Sequence, residues 1–390
     1  MSSEPTTAMS SGILRLFIID ESLPASALAI EQTAAMSPRQ WTGRTKQAPP
    51  IQKKTEGDRK MRAIVVRTPG IVELREVPDP APRPDEVIVR VEFCGICGTD
   101  LHIVAGEFPP TPYPIVPGHE FAGEVVAVGS GAPRDLGAGT MVAVDPSLFC
   151  GRCRYCRAGR GNLCADWGAI GDTVDGAFAE FVVVPAVNVY RLPEGVDAQS
   201  GAMIEPLACA VHGLDRLGAV LGDSILLIGA GTMGLLLLQL LLDSGAGPVA
   251  VLDKSASRLA VASQFGASLT ATNPEALSDS RFDVAIDATG VPSAVQAAVN
   301  LLDRGARLLV FGVAPAEAAV QISPFRVYND ELTIIGSMAV LHSFGQAAKL
   351  LAGGAVNLRP LLGEPLSLDQ FGEALDKVRA GQGIKTHIKP

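Results

Sequence analysis

The hydrophobic pattern of this 390-residue chain changes character twice. From Met1 to Lys60, Ser, Thr, Pro and Gln punctuate the text, and only Ile13 to Ile19 has strand-like apolar character. Residues 1–60 are therefore expected to form a loosely ordered N-terminal extension, or to reflect a start codon placed too early. No basic segment followed by a sustained apolar run opens the chain, which argues against a secretory signal. At Met61 the text changes. Arg62-Ala-Ile-Val-Val-Arg67 reads as a first strand, and short β-branched runs from Glu86 to Phe93 and Gly123 to Val128, bounded by Gly and Pro, predict a β-rich region.

The second change comes at Asp223. Apolar runs at Ile225–Ile228, Val249–Leu252, Val284–Ile286 and Leu308–Phe311 alternate with helical segments, and two weaker runs near Ser268–Thr270 and Leu332–Ile335 complete six strands. Strands separated by helices imply a parallel sheet. Beyond Gly336 one long helical pattern is expected, then a final strand at Lys385–Lys389. The expected fold class is α/β: a β-rich domain followed by a doubly wound parallel sheet.

Chemistry sits at fixed points of this pattern. Gly229-Ala-Gly231-Thr-Met-Gly234 follows one strand directly and opens an apolar helix. Gly229 permits the tight turn, Gly231 lets backbone amides approach a pyrophosphate, and Gly234 lets the helix pack on the strand. Asp253 closes the next strand, where a carboxylate accepts ribose hydroxyls and repels a 2′-phosphate. That favours NAD over NADP, although Lys254 and Arg258 are cations close enough to rescue the phosphate.

Seven cysteines are present, and Cys150, Cys153, Cys156 and Cys164 fall within fifteen residues. Four thiolates at this spacing wrap one tetrahedral zinc and leave no open position, which marks a structural site. The interleaved Arg152, Arg154, Arg157 and Arg160 raise a nucleic-acid-binding zinc ribbon as a rival. The net charge of −9 and the lack of an aromatic stacking platform weigh against it. A second set is dispersed: Cys97-Gly-Thr99-Asp100-Leu-His102, Gly118-His119-Glu120, and Glu205-Pro206-Leu207. Cys97, His119 and a carboxylate could hold a catalytic zinc with one position open. Singly, each has a bland reading as a core thiol, a turn histidine or a surface acid.

Composition adds limits. Hydrophobic content of 47% with 19% charged residues is globular, and the chain is long enough for two domains. The longest apolar stretch, Leu235 to Leu242, is far short of the roughly 20 residues that span a bilayer. Reduced thiols favour the cytoplasm.

From Met61 onward these motifs, in this order, resemble the zinc-dependent medium-chain dehydrogenases (the alcohol dehydrogenase family), and Glu205-Pro-Leu resembles the sorbitol, other polyol and butanediol dehydrogenase branch. The resemblance implies a GroES-like catalytic domain over residues 61–206 with a structural zinc lobe at 150–164. A Rossmann NAD-binding domain would span 207–336, and the catalytic domain would finish at 337–390. It implies two zincs per chain, NAD, a small alcohol substrate, and a homodimer or homotetramer. Cys97, His119 and Glu120 match the catalytic zinc ligands, and Glu205 an acid near the metal. Thr99 matches the proton relay, Asp100 the residue orienting His119, and His102 a residue near the cofactor ribose. Where sorbitol enzymes carry Tyr and an Arg-Tyr pair, this chain has Ile103-Val104 and Ser337-Met338-Ala339-Val340, so sorbitol itself is in doubt. The alternatives are amino-alcohol oxidation, as in threonine dehydrogenase, and a non-catalytic nucleotide-binding protein on the same fold.

Overall fold

The computed structural model describes residues 60–390, so the expectation for the N-terminal extension lies outside the described residues. Two sheets organise the chain. In the first, Glu86–Gly95 is the central strand and pairs antiparallel with Glu120–Val128, Phe181–Pro185 and His387–Lys389. Its apolar positions, Val87, Val89, Val91 and Cys94, are buried against Phe121, Phe178 and Phe371. The Lys60–Thr68 and Ile71–Pro78 hairpin lies outside this ladder.

The second sheet is wholly parallel. Its spatial order is Leu269–Ala271, Val249–Leu252, Ile225–Ile228, Phe282–Asp287, Leu302–Val310 and Thr333–Gly336. All four residues of Ile225–Ile228, and all four of Val249–Leu252, are buried, as a sheet covered by helices on both faces requires. The strand order reverses beside Ile225–Ile228, so the crevice where a ligand binds opens past Ile228 and Asp287. The six predicted strands are all present.

The helix Ile204–Leu217 spans the junction expected at residues 206 and 207. Its Leu207, Ala208 and Val211 share one buried cluster with Leu227 and Leu236 of the parallel-sheet region and with Ala122 and Ala143 of the antiparallel one. A single apolar core therefore runs through the junction.

One prediction needs correction. The stretch after Gly336 is not one long helix but two, Phe344–Ala352 and Phe371–Arg379, with the short strand Leu366–Ser367 between them. Gly353 caps the first, Gly354 adopts a φ of +78°, and Pro360 and Pro365 follow. Glycine and proline end a helix whatever the apolar periodicity beyond them.

His387, in the last strand, is fully buried, packs edge-on to Phe93, and has no hydrogen-bond partner for either ring nitrogen among the described residues. Burial, then the nearby Lys385 ammonium, push its pKa down to about 3. An unfolded histidine titrates near 6.5, so between those values the unfolded chain takes up a proton that the folded one refuses. Stability is therefore lost as pH falls, by about 2 kcal/mol between pH 6.5 and 5 from this residue. His387→Phe should show a smaller drop in thermal midpoint from pH 7 to pH 5 than wild type. Identical drops in calorimetry would mean that the folded protein protonates His387 after all.

Candidate active site

Cys97 leaves the central strand Glu86–Gly95 and stands at the N-cap of the helix Gly98–Ala105. Its backbone N–H donates to Asp100 Oδ2 at 2.8 Å, which fixes the thiol at the start of the helix. Thr99 follows within the same turn, with Oγ1 3.8 Å from Cys97 Sγ. His119 comes from another segment. Gly118, at a φ of +104°, turns the chain so that His119 and Glu120, the first residue of the strand Glu120–Val128, both reach Cys97.

The ligand atoms of Cys97, His119 and Glu120 lie within 4.8 Å of one another. One sulfur, one nitrogen and one oxygen donor, with His119 and Glu120 buried, fit a zinc that keeps a position for substrate. Glu205 lies in the first turn of the buried helix and accepts from Cys209 Sγ at 3.4 Å, but the ligand group does not include it. Burial pushes Glu205 up to about 8.

The other ligand group is Cys150, Cys153, Cys156 and Cys164, again within 4.8 Å of one another. Backbone N–H groups of Cys150 and Asp166 each donate to Cys164 Sγ at 3.3 Å, and that of Cys156 donates to Cys153 Sγ. Hydrogen bonds from Cys156 and Ala165 pull Cys153 down to about 6, toward the thiolate that a metal requires, while burial pushes Cys156 and Cys164 up. The four interleaved arginines are exposed.

At the carboxyl ends of the parallel strands, Gly229 has a φ of +104°, and Gly234 packs so closely on it that a Cβ would lie 1.8 Å from the Gly229 carbonyl oxygen. Gly231 caps the following helix, whose N-terminal amides suit an anion. Asp253 Oδ2 accepts from the Ala230 N–H at 2.7 Å, and its Oδ1 accepts from the Ser255 N–H at 2.8 Å. Arg258 Nη2 donates to the Gly381 and Gly383 carbonyls at 3.1 and 3.3 Å, while its Nη1 lies beside Gly231. Gly231, Arg258, Cys97 and Glu120 line a single cleft, so the glycine turn and the metal ligands face one space.

Comparison with known proteins fits this arrangement. Residues 83–194 match the family described as alcohol dehydrogenase GroES-like domain, and residues 232–353 match zinc-binding dehydrogenase. The chain is 34% identical to D-arabinitol dehydrogenase 1 of Uromyces fabae, over 85% of this chain and 97% of that protein. It belongs to the zinc-containing medium-chain alcohol dehydrogenase family. It is also 36% identical to an L-threonine 3-dehydrogenase of Saccharopolyspora erythraea, covering 83% of this chain and 97% of that one. A solved structure of a zinc-binding dehydrogenase from Sinorhizobium meliloti 1021, bound to NADP, is similar at a TM-score of 0.80 and 37% identity. That match covers 85% of this chain and all of that one. The protein is thus a zinc-dependent NAD(P) dehydrogenase of alcohols or polyols. Among the described residues, no helix is long and apolar enough to cross a membrane.

Not every residue singled out from the sequence joins the cluster. His102 is exposed and its Nδ1 lies 2.8 Å from Glu107 Oε2. Lys254 is exposed beside Asp253. Three residues were not anticipated. Lys385, 5% exposed, forms a buried ion pair with Glu120 and donates to the Ile96 carbonyl at 3.0 Å. Burial opposes charge on both partners, yet the pair keeps Glu120 below and Lys385 above its ordinary range. Asp287, fully buried, ends the strand beside Ile228 and takes the N–H groups of Thr289 and Gly290. Its signal was available as an acid closing a strand before Thr-Gly. Asp172 lies against His119.

Elemental analysis should find two zincs per chain, one released by chelator with loss of activity and one retained. Cys153→Ser should reduce folded yield rather than merely slow turnover, because a closed four-thiolate site contributes to folding itself. One zinc per chain would contradict the two-site assignment.

Proposed function

We propose that this enzyme oxidises a secondary alcohol of the polyol, diol or sugar-alcohol class with NAD as acceptor. The observation that carries the reading is the shared cleft: Cys97 and Glu120 on one wall, Gly231 and Arg258 on the other. When bound, zinc supplies a Lewis acid that makes a substrate hydroxyl more acidic, and the dinucleotide accepts the hydride. Cys97, His119 and Glu120 hold the metal. Thr99, half-buried at the start of its helix, carries the hydroxyl proton outward. Glu205, buried and close enough to feel the charges of His119 and Glu120, would lend a further acid to the metal site.

The polyol class is supported by the arabinitol dehydrogenase relative and by Glu205-Pro-Leu. Oxidation of an amino alcohol is the second reading, favoured by the threonine dehydrogenase relative at similar identity. Arg258, whose Nη2 is occupied by two carbonyls and whose Nη1 faces the glycine turn, is the cation that would suit a 2′-phosphate, but Asp253 supports NAD. The NADP-bound relative stands against it. Assembly with a second copy is supported by the sheet-edge strand Thr333–Gly336, where Ile334 is exposed, and by Phe325 and Tyr328, exposed just before it.

Steady-state kinetics on pentitols, vicinal diols and L-threonine should give the highest kcat/KM with a polyol or diol and NAD. Asp253→Ser should lower kcat/KM for NAD and raise it for NADP, since a ribose acceptor and a repulsive charge are both removed. A wild-type preference for NADP would sink the Asp253 argument, and a preference for L-threonine would select the second reading.

Thr99→Val keeps the side-chain volume and removes the hydroxyl. Turnover should fall by roughly 10²- to 10⁴-fold, the usual weight of general acid–base help, while zinc content and NAD binding stay at wild-type levels. Full turnover would remove Thr99 from the mechanism.

A further inference from the structure

A histidine that ligates a metal through one ring nitrogen usually donates from the other to a carboxylate or carbonyl, which fixes the ring and strengthens it as a ligand. His119 faces two carboxylates. Its Nδ1 lies 3.2 Å from Asp172 Oδ1 and 3.7 Å from Asp100 Oδ1, and all three residues are buried. Nε2 is then the nitrogen left for the metal. One N–H cannot serve both acids in line. Asp100 already has a task, because its Oδ2 takes the Cys97 N–H at 2.8 Å. His119 Nδ1, Asp172 Oδ1 and Asp100 Oδ1 are all buried without a hydrogen-bond partner among the described residues, and Asp172 is the nearer acid to the ring.

The backbone delivers Asp172 to this point. Segment 171–178 runs along Val116–Gly118: the Gly176 N–H donates to Val116, that of Ala177 to Gly118, and that of Phe178 to Pro117. Asp175 Oδ1 accepts from the Val116 N–H at 2.9 Å. Gly171 fits so closely that a Cβ would lie 2.4 Å from the Gly118 carbonyl oxygen. The residue after Gly171 is thereby held beside the residue after Gly118, and these are Asp172 and His119.

We infer that Asp172 is a positioning residue for the metal ligand His119, accepting its Nδ1–H while Asp100 holds the Cys97 backbone. The ring is oriented by one acid and the thiol by another, each carried on a separate segment. The inference rests on the reading of Cys97, His119 and Glu120 as zinc ligands. That reading fails by itself if the wild-type chain carries only the four-cysteine zinc.

The test uses the full-length zinc-loaded protein and the variants Asp172→Ala, Asp172→Asn and Asp100→Asn. Chelator-driven release of the labile zinc should be about 10- to 100-fold faster in Asp172→Ala, the usual weight of such a contact. Asp172→Asn, which keeps the shape but loses the charge, should release it at an intermediate rate and serves alone if the alanine variant does not fold. Replacing the labile zinc with cobalt(II) should show altered visible bands in both Asp172 variants, and kcat should fall with KM for NAD unchanged. Wild-type release rates and cobalt bands in Asp172→Asn would overturn the inference, even with a lowered thermal midpoint, and leave Asp172 a turn residue. Accelerated release in Asp100→Asn alone would return the role to Asp100.

Discussion

The cleft depends on how one buried carboxylate is neutralised. Glu120 is 2% exposed, and an unpaired carboxylate at such a position costs several kcal/mol. Lys385 supplies the counter-charge from 265 residues away, and is itself held by the Ile96 carbonyl. The register of the antiparallel sheet makes this possible. Gly95 lies opposite Glu120 on one side and His387 on the other, so the chain just before His387 passes close to Glu120. Only glycine leaves room: a Cβ at residue 95 would sit 2.4 Å from Glu120 Oε2 and 2.6 Å from the Lys385 side chain. The carboxylate therefore stays ionised in an apolar setting, the form in which it can ligate a metal.

That arrangement explains which parts of the site were legible in the sequence. The glycine turn and the four-cysteine lobe are local. Spacing alone encodes their geometry, so Gly229–Gly234 and Cys150–Cys164 could be read directly. Cys97 was found in one short motif and the adjacent His119 and Glu120 in another, and the resemblance joined motifs that the residues alone left open. Lys385 and Asp172 have no such motif. Lys385 looks like the polar position of a terminal strand until the pairing of His387 with Gly95 carries it past Glu120. Asp172 looks like any turn acid until Gly171 meets Gly118. The strands Ile225–Ile228 and Val249–Leu252 were recoverable from apolar runs because central parallel strands are buried on both faces. The region after Gly336 was misread for the complementary reason: two amphipathic helices share a period, and what separates them is glycine and proline rather than a change of hydrophobicity.

The two halves of the cleft are also less independent than their separate motifs suggest. Thr232, in the first turn after Gly231, donates its hydroxyl to the Ile384 carbonyl at 2.7 Å. Arg258 holds the carbonyls of Gly381 and Gly383. Both glycines adopt left-handed φ values, +65° and +72°, that let the loop present its carbonyls this way. The next residue after Ile384 is Lys385. A short loop is thus pinned to the dinucleotide turn at three carbonyls and carries, at its end, the ammonium that balances Glu120. Both charges are buried, so their separation sets how much negative charge Glu120 has left to offer a metal. The counter-charge of the ligand set is therefore carried by a loop that the coenzyme side of the cleft holds in place, through backbone contacts that neither motif shows by itself.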